Sequence, residues 1–302
     1  MRRPIMATAV CAGLLFVMAG TASARHETAP SSALGMGDTA NASAVGPAAL
    51  HLNPAGMSQA RQYAFEVGYN FFENGPGHAL VASAVDSKTN PALSMGVSYA
   101  HLISERNGAD REGYAVRSGL GTGFHNQTFG MSVGVSGNML RITNGAKDDD
   151  ENGESDDLDN ISMDAGVILD FFHRFRIGCV GRNLFHTEDE KMLLERDSGK
   201  EIGAGLAVAI KTLELSFDMD FGMDEKWTDY RVGGQWLLMG ALVLRTGFTM
   251  EEVRDGTGER RNHLAAGVGY VSQIVAADLA MKAPLDESGE VIFSAGFRYF
   301  LP

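Results

Sequence analysis

The chain predicts an all-β fold, a transmembrane antiparallel up-and-down β-barrel of fourteen strands with an N-terminal hatch, and three observations carry that expectation. Fourteen short segments alternate apolar and polar residues, and a two-residue period gives each segment one face for an apolar medium and one for a polar interior. The links between them alternate short and long, as in outer-membrane barrels with tight periplasmic turns and longer external loops. After residue 24 no stretch reaches the roughly 18 uninterrupted apolar residues a membrane helix needs, so any crossing of a bilayer falls to strands.

The first element is a leader. Residues 1–24 carry Arg2 and Arg3, an apolar run over 7–19, and Ala22-Ser23-Ala24 ahead of Arg25, the pattern of a secretory signal with its cleavage site. Its removal takes the formal charge from −13 to −15, since it holds two arginines and no acid. So acidic a surface excludes nucleic acid as a partner, because phosphates demand a basic footprint. Cys11 goes with the leader, which leaves Cys179 without an intrachain disulfide partner. Export from the cytoplasm and residence in the outer membrane, against outer-membrane lipid, follow as expectations for a Gram-negative envelope.

Residues 25–60 come next, as a separate unit from the barrel of 61–302. They show neither alternation nor a helical stripe, yet are rich in Ala, Gly, Ser and Met instead of charge, which reads as a compact plug. The strands are expected at 62–72, 77–85, 92–103, 112–124, 128–141, 160–171, 174–185, 201–211, 213–221, 228–238, 241–251, 262–271, 274–282 and 290–301. In the first, Tyr63, Phe65, Val67, Tyr69 and Phe71 oppose Ala64, Glu66, Gly68 and Asn70; the ninth and fourteenth repeat the contrast. Two links break the rhythm, 86–91 being long for a turn and 73–76 short for a loop.

The inward rows predict charges of both signs: Glu66, Arg117, Asp164, Asp170, Arg176, Arg182, Lys211, Asp218, Asp220, Arg231, Arg245, Asp278 and Arg298. Inside a lumen such groups pair and stay hydrated, whereas on the lipid face each would cost about 2 to 4 kcal/mol near the midplane. A wall-stiffening network is the plainer reading and a selectivity filter the alternative. Inward glycines, among them Gly96, Gly119, Gly134, Gly205, Gly233, Gly247 and Gly267, put no side chain into the lumen, so something else fills it or water does. Large inward apolar groups are few, chiefly Leu102, Ile168, Val180 and Leu237.

Two motifs within 25–60 resemble a known family. Gly35-Met36-Gly37 and, ahead of the first strand, Asn53-Pro54-Ala55-Gly56 are similar to the N-terminal hatch of FadL-type outer-membrane transport proteins and their PorV/PorQ-type relatives. Taken alone, Asn53 and Pro54 form a rigid corner, because Asn bonds its own backbone in a turn and Pro fixes φ. The resemblance implies hatch roles for Gly35, Gly37, Asn53, Pro54, Ala55 and Gly56, and a hydrophobic solute as cargo. External loops that are short, polar and acidic depart from the long hydrophobic capture loops of fatty-acid transporters.

At the other end, Ser294-x-Gly296-x-x-Tyr299-x-Leu301 resembles the closing-strand signal read by the barrel-assembly machinery, although Pro302 follows. The acidic run with Asp148, Asp150, Asn152, Asp156 and Asp159 approaches a calcium loop but lacks the twelfth-position Glu and flanking helices, so it reads as a solvated loop rather than a metal site. Histidines 101, 125, 173, 186 and 263 form no dyad with a nucleophile, so no enzyme and no cofactor are expected. Function then divides between passive passage of a small hydrophobic or amphipathic solute past an internal plug and a non-transporting scaffold that binds a secreted or surface protein.

Overall fold

A computed structural model describes residues 28–73, 77–106, 109–144, 158–186, 199–223, 226–252, 259–285 and 291–301. The leader and Asp148, Asp150, Asn152 and Asp156 of the acidic run lie outside them, as does the short link 74–76. Two short helices, α1 (Ser31–Leu34) and α2 (Pro47–Leu52), and a 3₁₀ helix (Pro54–Ser58) precede the sheet. The strands are β1 (Tyr63–Glu73), β2 (Gly77–Asn90), β3 (Leu93–Arg106), β4 (Ala109–His125), β5 (Phe129–Asn144), β6 (Leu158–Phe171) and β7 (Phe175–His186). They continue as β8 (Glu201–Ile210), β9 (Leu213–Gly222), β10 (Thr228–Leu238), β11 (Leu242–Glu252), β12 (Arg260–Val271), β13 (Val275–Pro284) and β14 (Val291–Leu301).

Each strand pairs antiparallel with its sequence neighbours, and β1 pairs with β14 from Tyr63↔Leu301 to Glu73↔Val291, so the sheet closes without an edge. The alternation read from sequence becomes two surfaces. Outward side chains such as Val67, Leu206 and Leu279 are 52%, 51% and 61% exposed, while the residues between them are buried. An apolar belt of this kind suits a hydrocarbon medium, and closure leaves no edge strand to face that medium with unpaired amides.

The short links owe their tightness to local chemistry. Asn126 Oδ1 accepts the amides of Thr128 and Phe129, and the Ser272 hydroxyl accepts that of Val275 at 3.0 Å. Phe172 and His173 both take positive φ, as do Met239 and Gly240, the geometry a two-residue turn needs to match strand twist. The anomalous link 86–91 resolves the same way. β2 runs on to Asn90 through a register irregularity, Asp86 accepts the amides of Lys88 and Thr89, and Asn90 pairs with Leu93, leaving only Pro91 and Ala92 to turn. Lys211 was expected among the inward charges; it instead sits exposed in the turn after β8 at φ 55°. The turn residue has left the pleat, so the two-residue period no longer sets its direction.

Candidate functional site

The lumen holds the chain's own N-terminal segment. Residues 28–58 are almost entirely buried, and they lie against inward-facing residues of most strands. Glycine makes room for them. A Cβ at Gly134 would enter the Pro54 backbone, one at Gly166 the Asn53 amide, one at Gly178 the Asn41 carbonyl, and one at Gly247 the peptide joining Met36 to Gly37. At Gly267 a Cβ would come 3.2 Å from the Gly35 Cα, so backbone meets backbone there. The inward glycines are therefore the surface on which the segment rests.

The motif residues have distinct places on that surface. Asn53 turns its Oδ1 to the Ala55 amide at 3.2 Å and its Nδ2 to the Asn41 carbonyl at 2.6 Å, fixing two turns of the segment to each other. Pro54 and Ala55 cover Gly134, while Gly56 is confined by the Ala44 carbonyl within the segment itself. Gly37, at φ 68°, accepts the Thr249 hydroxyl at 2.9 Å.

Inward charges hold the segment from several sides. Arg182, 1% exposed, donates to the Leu52 carbonyl at 3.0 Å and to the Asn41 side chain, and pairs with Glu201 and with Asp220 at 3.2 Å. Asp218 accepts the backbone amides of Ala40 and Asn41 at 2.6 and 2.8 Å. Arg117 bonds the carbonyls of Leu50 and His51 at 3.1 and 3.0 Å and pairs with Asp164 at 3.3 Å. Lys282, a clamp that sequence reasoning passed over, joins Asp38 of the segment at 3.0 Å to Glu251 at 2.8 Å. Arg176 reaches the Ser43 carbonyl at 3.4 Å and pairs with Glu214.

Other charges bind the wall to itself. Glu66 pairs with Arg298, Arg245 with Asp278, and Arg231 with both Asp220 and Asp229, while Asp170 accepts the His173 amide. Of the closing strand, Ser294 points inward and bonds Ser31 and Asn70, whereas Tyr299 and Leu301 face out. Gly296 lies beside Ser31. Among the described residues no group of three or more His, Cys, Asp or Glu is arranged to hold a metal ion.

One sector of the lumen, at the end served by the long links, is apolar. Leu34 of the segment packs with Phe72, Leu102, Leu140 and Ile292 of the wall into one buried cluster. Of these only Leu102 was singled out by sequence; Phe72 and Ile292 stand beside outward aromatics in uninterrupted apolar runs, where alternation gives no contrast. Next to the cluster lies a chamber of about 30 Å³ with a mixed lining that includes His51, Ser98, Arg117, Asn138, Asn160 and Ser162, and Leu140 and Ala115 are shared between the two. Burial, and secondarily the Arg117 charge, lowers the His51 pKa from 6.5 to about 3, so its imidazole is neutral.

No family model and no curated protein matches the sequence. Solved structures do match the fold. A FadL homologue of Pseudomonas aeruginosa aligns with a TM-score of 0.64 at 10% identity, covering 94% of this chain and 99% of its own. The toluene transporter TodX of Pseudomonas putida aligns at 0.61 and 14% identity over 89% and 96%. The outer membrane protein Omp33 of Acinetobacter baumannii aligns at 0.50 and 11% identity over 81% and 100%. At such identities the likeness is one of fold, a closed barrel of the FadL type.

Proposed function

We propose that this protein is an outer-membrane barrel that lets a small hydrophobic or amphipathic solute pass passively beyond an internal hatch, residues 25–60, without nucleotide or cofactor. The observation that carries the reading is the pairing of a lumen filled by the chain's own segment with an apolar patch at the loop end, where Leu34 of that segment meets Phe72, Leu102, Leu140 and Ile292. Leu34 is 1% and Leu140 9% exposed, so the cluster opens to a solute when the segment is displaced, and the solute then gains roughly 25 cal/mol per Å² of apolar surface it buries there. The resemblance in fold to a FadL homologue and to a toluene transporter supports the same reading. Export by the leader and insertion by the barrel-assembly machinery through the closing strand, with Ser294, Gly296, Tyr299 and Leu301, belong to it.

A scaffold that binds a secreted or surface protein is the second reading, and the buried Lys282–Asp38 ion pair, together with the hydrogen bonds that Arg182, Arg117 and Asp218 make to the segment backbone, favours it. Uptake of a radiolabelled monoaromatic compound into proteoliposomes separates the two. Saturable uptake above protein-free vesicles, with a larger unsaturable leak when residues 25–60 are deleted, is the transporter's outcome. No uptake by the full chain, together with unchanged permeability of the deletion variant, sinks transport.

A further inference from the structure

The end of the barrel served by the short links carries a charge opposite to that of the chain as a whole. Arg61 stands just ahead of β1, Lys88 near the end of β2, Arg174 between β6 and β7, and Lys211 between β8 and β9, and all four are exposed. Among the described residues of these links the one acid is Asp86, whose Oδ1 is engaged by the amides of Lys88 and Thr89. Asp170 and Glu214, at the same end, face the lumen, where Asp170 accepts the His173 amide and Glu214 pairs with Arg176. The remaining short links, Met239-Gly240 and Ser272-Gln273, are uncharged. In a chain of formal charge −13, half of this rim is therefore cationic.

Outward aromatic side chains mark where the rim meets the bilayer. Phe124, Phe129 and Phe171 run across β4, β5 and β6 with successive ring centroids 5.7 and 5.4 Å apart. Exposed Phe172 and Phe175 flank His173 and Arg174, and exposed Trp236 is the cross-strand partner of Leu213, two residues beyond Lys211. The Lys88 Nζ lies 6.0 Å over the Tyr63 ring. Aromatic girdles sit at the headgroup level of a bilayer, so the four cations stand at the depth of lipid phosphates. Their long stems keep hydrocarbon in the belt and charge among the headgroups. Successive links are two strands apart, so neighbouring cations are separated by about 10 Å or more, which suits individual headgroups better than one contiguous acidic patch on a protein.

We propose that this half of the rim binds anionic phospholipid headgroups of the leaflet it touches, with Arg61, Lys88, Arg174 and Lys211 each meeting a phosphate. The inference rests on the placement of the barrel in a bilayer and not on what passes through its lumen. A zwitterionic headgroup brings each cation a phosphate together with an ammonium that repels it, whereas an anionic headgroup brings the phosphate without that opposition. The resulting preference is about fivefold at each cation. Salt weakens it, because the sites are open to water. The uncharged side of the rim, with Met239 and Gln273, has no such preference, so the lipid shell around the barrel is asymmetric.

Trp236 is a native reporter of the lipid beside Lys211, since Trp227, the other tryptophan, is buried. The full chain in phosphatidylcholine liposomes is titrated with brominated phosphatidylglycerol or with brominated phosphatidylcholine, and quenching of Trp236 fluorescence reads which lipid lies against it. Phosphatidylglycerol is expected to take that place about fivefold more readily, and about 1 M salt, where the screening length falls to about 3 Å, should bring the two lipids level. Lys211→Gln should also bring them level, while Lys88→Gln, on a distant link, leaves the Trp236 reading as in wild type. Phe175→Trp in a Trp236→Phe background reports the lipid beside Arg174 in the same way, with Arg174→Gln as its test, and serves in place of Lys211→Gln should that variant fail to fold. Equal quenching by both lipids in the wild-type chain overturns the lipid assignment and leaves an acidic protein as the rim's remaining occupant. A phosphatidylglycerol preference that survives removal of the neighbouring cation overturns it as well. Neither result bears on solute uptake, so the passage reading stands or falls separately.

Discussion

Glu66 and Arg298 are direct partners across the seam that closes the barrel, and the Arg298 Nε donates to Glu66 Oε2 at 2.9 Å. The first and last strands thus share an ion pair on the inward face at the point where closure depends on the two ends of the chain meeting. Glu66→Ala leaves the guanidinium beside a cavity and should destabilise the barrel by about 3 kcal/mol, the lower end for breaking a buried pair. The heat-dependent shift in gel mobility of the folded barrel reads this directly. A midpoint unchanged from wild type would mean that the pair contributes nothing to closure.

Glycine content on the inward face predicts a second set of outcomes. Gly134→Ala places a methyl group in the Pro54 backbone and Gly247→Ala places one in the Met36–Gly37 peptide, and neither obstacle is a flexible side-chain tip. Each should cost about 1 to 3 kcal/mol by overpacking and expose residues 28–58 to added protease. Gly137→Ala is the matched control, since its Cβ would meet nothing within 4 Å on the outward face. Protease sensitivity rising equally in all three variants would contradict a seat built of glycine.

These glycines illustrate what could be read from the chain before its structure. Fourteen strands were legible because an apolar exterior and a polar interior write a two-residue period directly into sequence, as β1 and β9 do with Tyr63 to Phe71 and Leu213 to Phe221. The inward glycines were equally legible as a lack of filling, but not what fills it, because Gly134 and Pro54 are brought together only by closure of the barrel. The apolar patch was hidden where Val291, Ile292 and Phe293 run together and contrast between faces vanishes. Asp86 to Asn90 looked like loop since a bulge breaks the period without ending the strand. His51 drew no notice because its partner, Ser83 on β2, stands 32 residues away in sequence and meets it only once the barrel closes around the segment.

The depressed His51 pKa makes a pH prediction with a definite sign. In the unfolded chain this histidine takes a proton near pH 6.5, and in the folded barrel only near about 3. Between those values the unfolded state binds the extra proton, so stability falls as pH falls through that window and is unaffected by this group above it. His51→Asn removes the titration. Against that variant, wild type should lose up to about 1.4 kcal/mol per pH unit below 6.5. Parallel unfolding midpoints for the two proteins from pH 7 to pH 4 would show that His51 is solvated in the folded state.

Lys282 supplies the last prediction, because it is a single cation between two carboxylates, Asp38 on the segment and Glu251 on the wall, with its side chain 2% exposed. Substituting Asp38 by Asn leaves the ammonium its bond to Glu251, so the loss is one interaction of the pair. Substituting Lys282 by Met leaves two buried carboxylates facing each other with their shared counter-ion gone. One partner removed from a buried ion pair costs about 3 to 5 kcal/mol, and here the repulsion acts along the line joining the segment to β11. Lys282→Met should therefore lift the region around Asp38 from the wall and raise the conductance of the barrel in planar bilayers, while Asp38→Asn changes it far less. The double variant Lys282→Met/Asp38→Asn should recover part of the wild-type resistance, since it removes one of the opposed charges. If all three variants conduct as wild type does, the segment is not held closed at this point, and the clamps at Arg182 and Arg117 carry the seal.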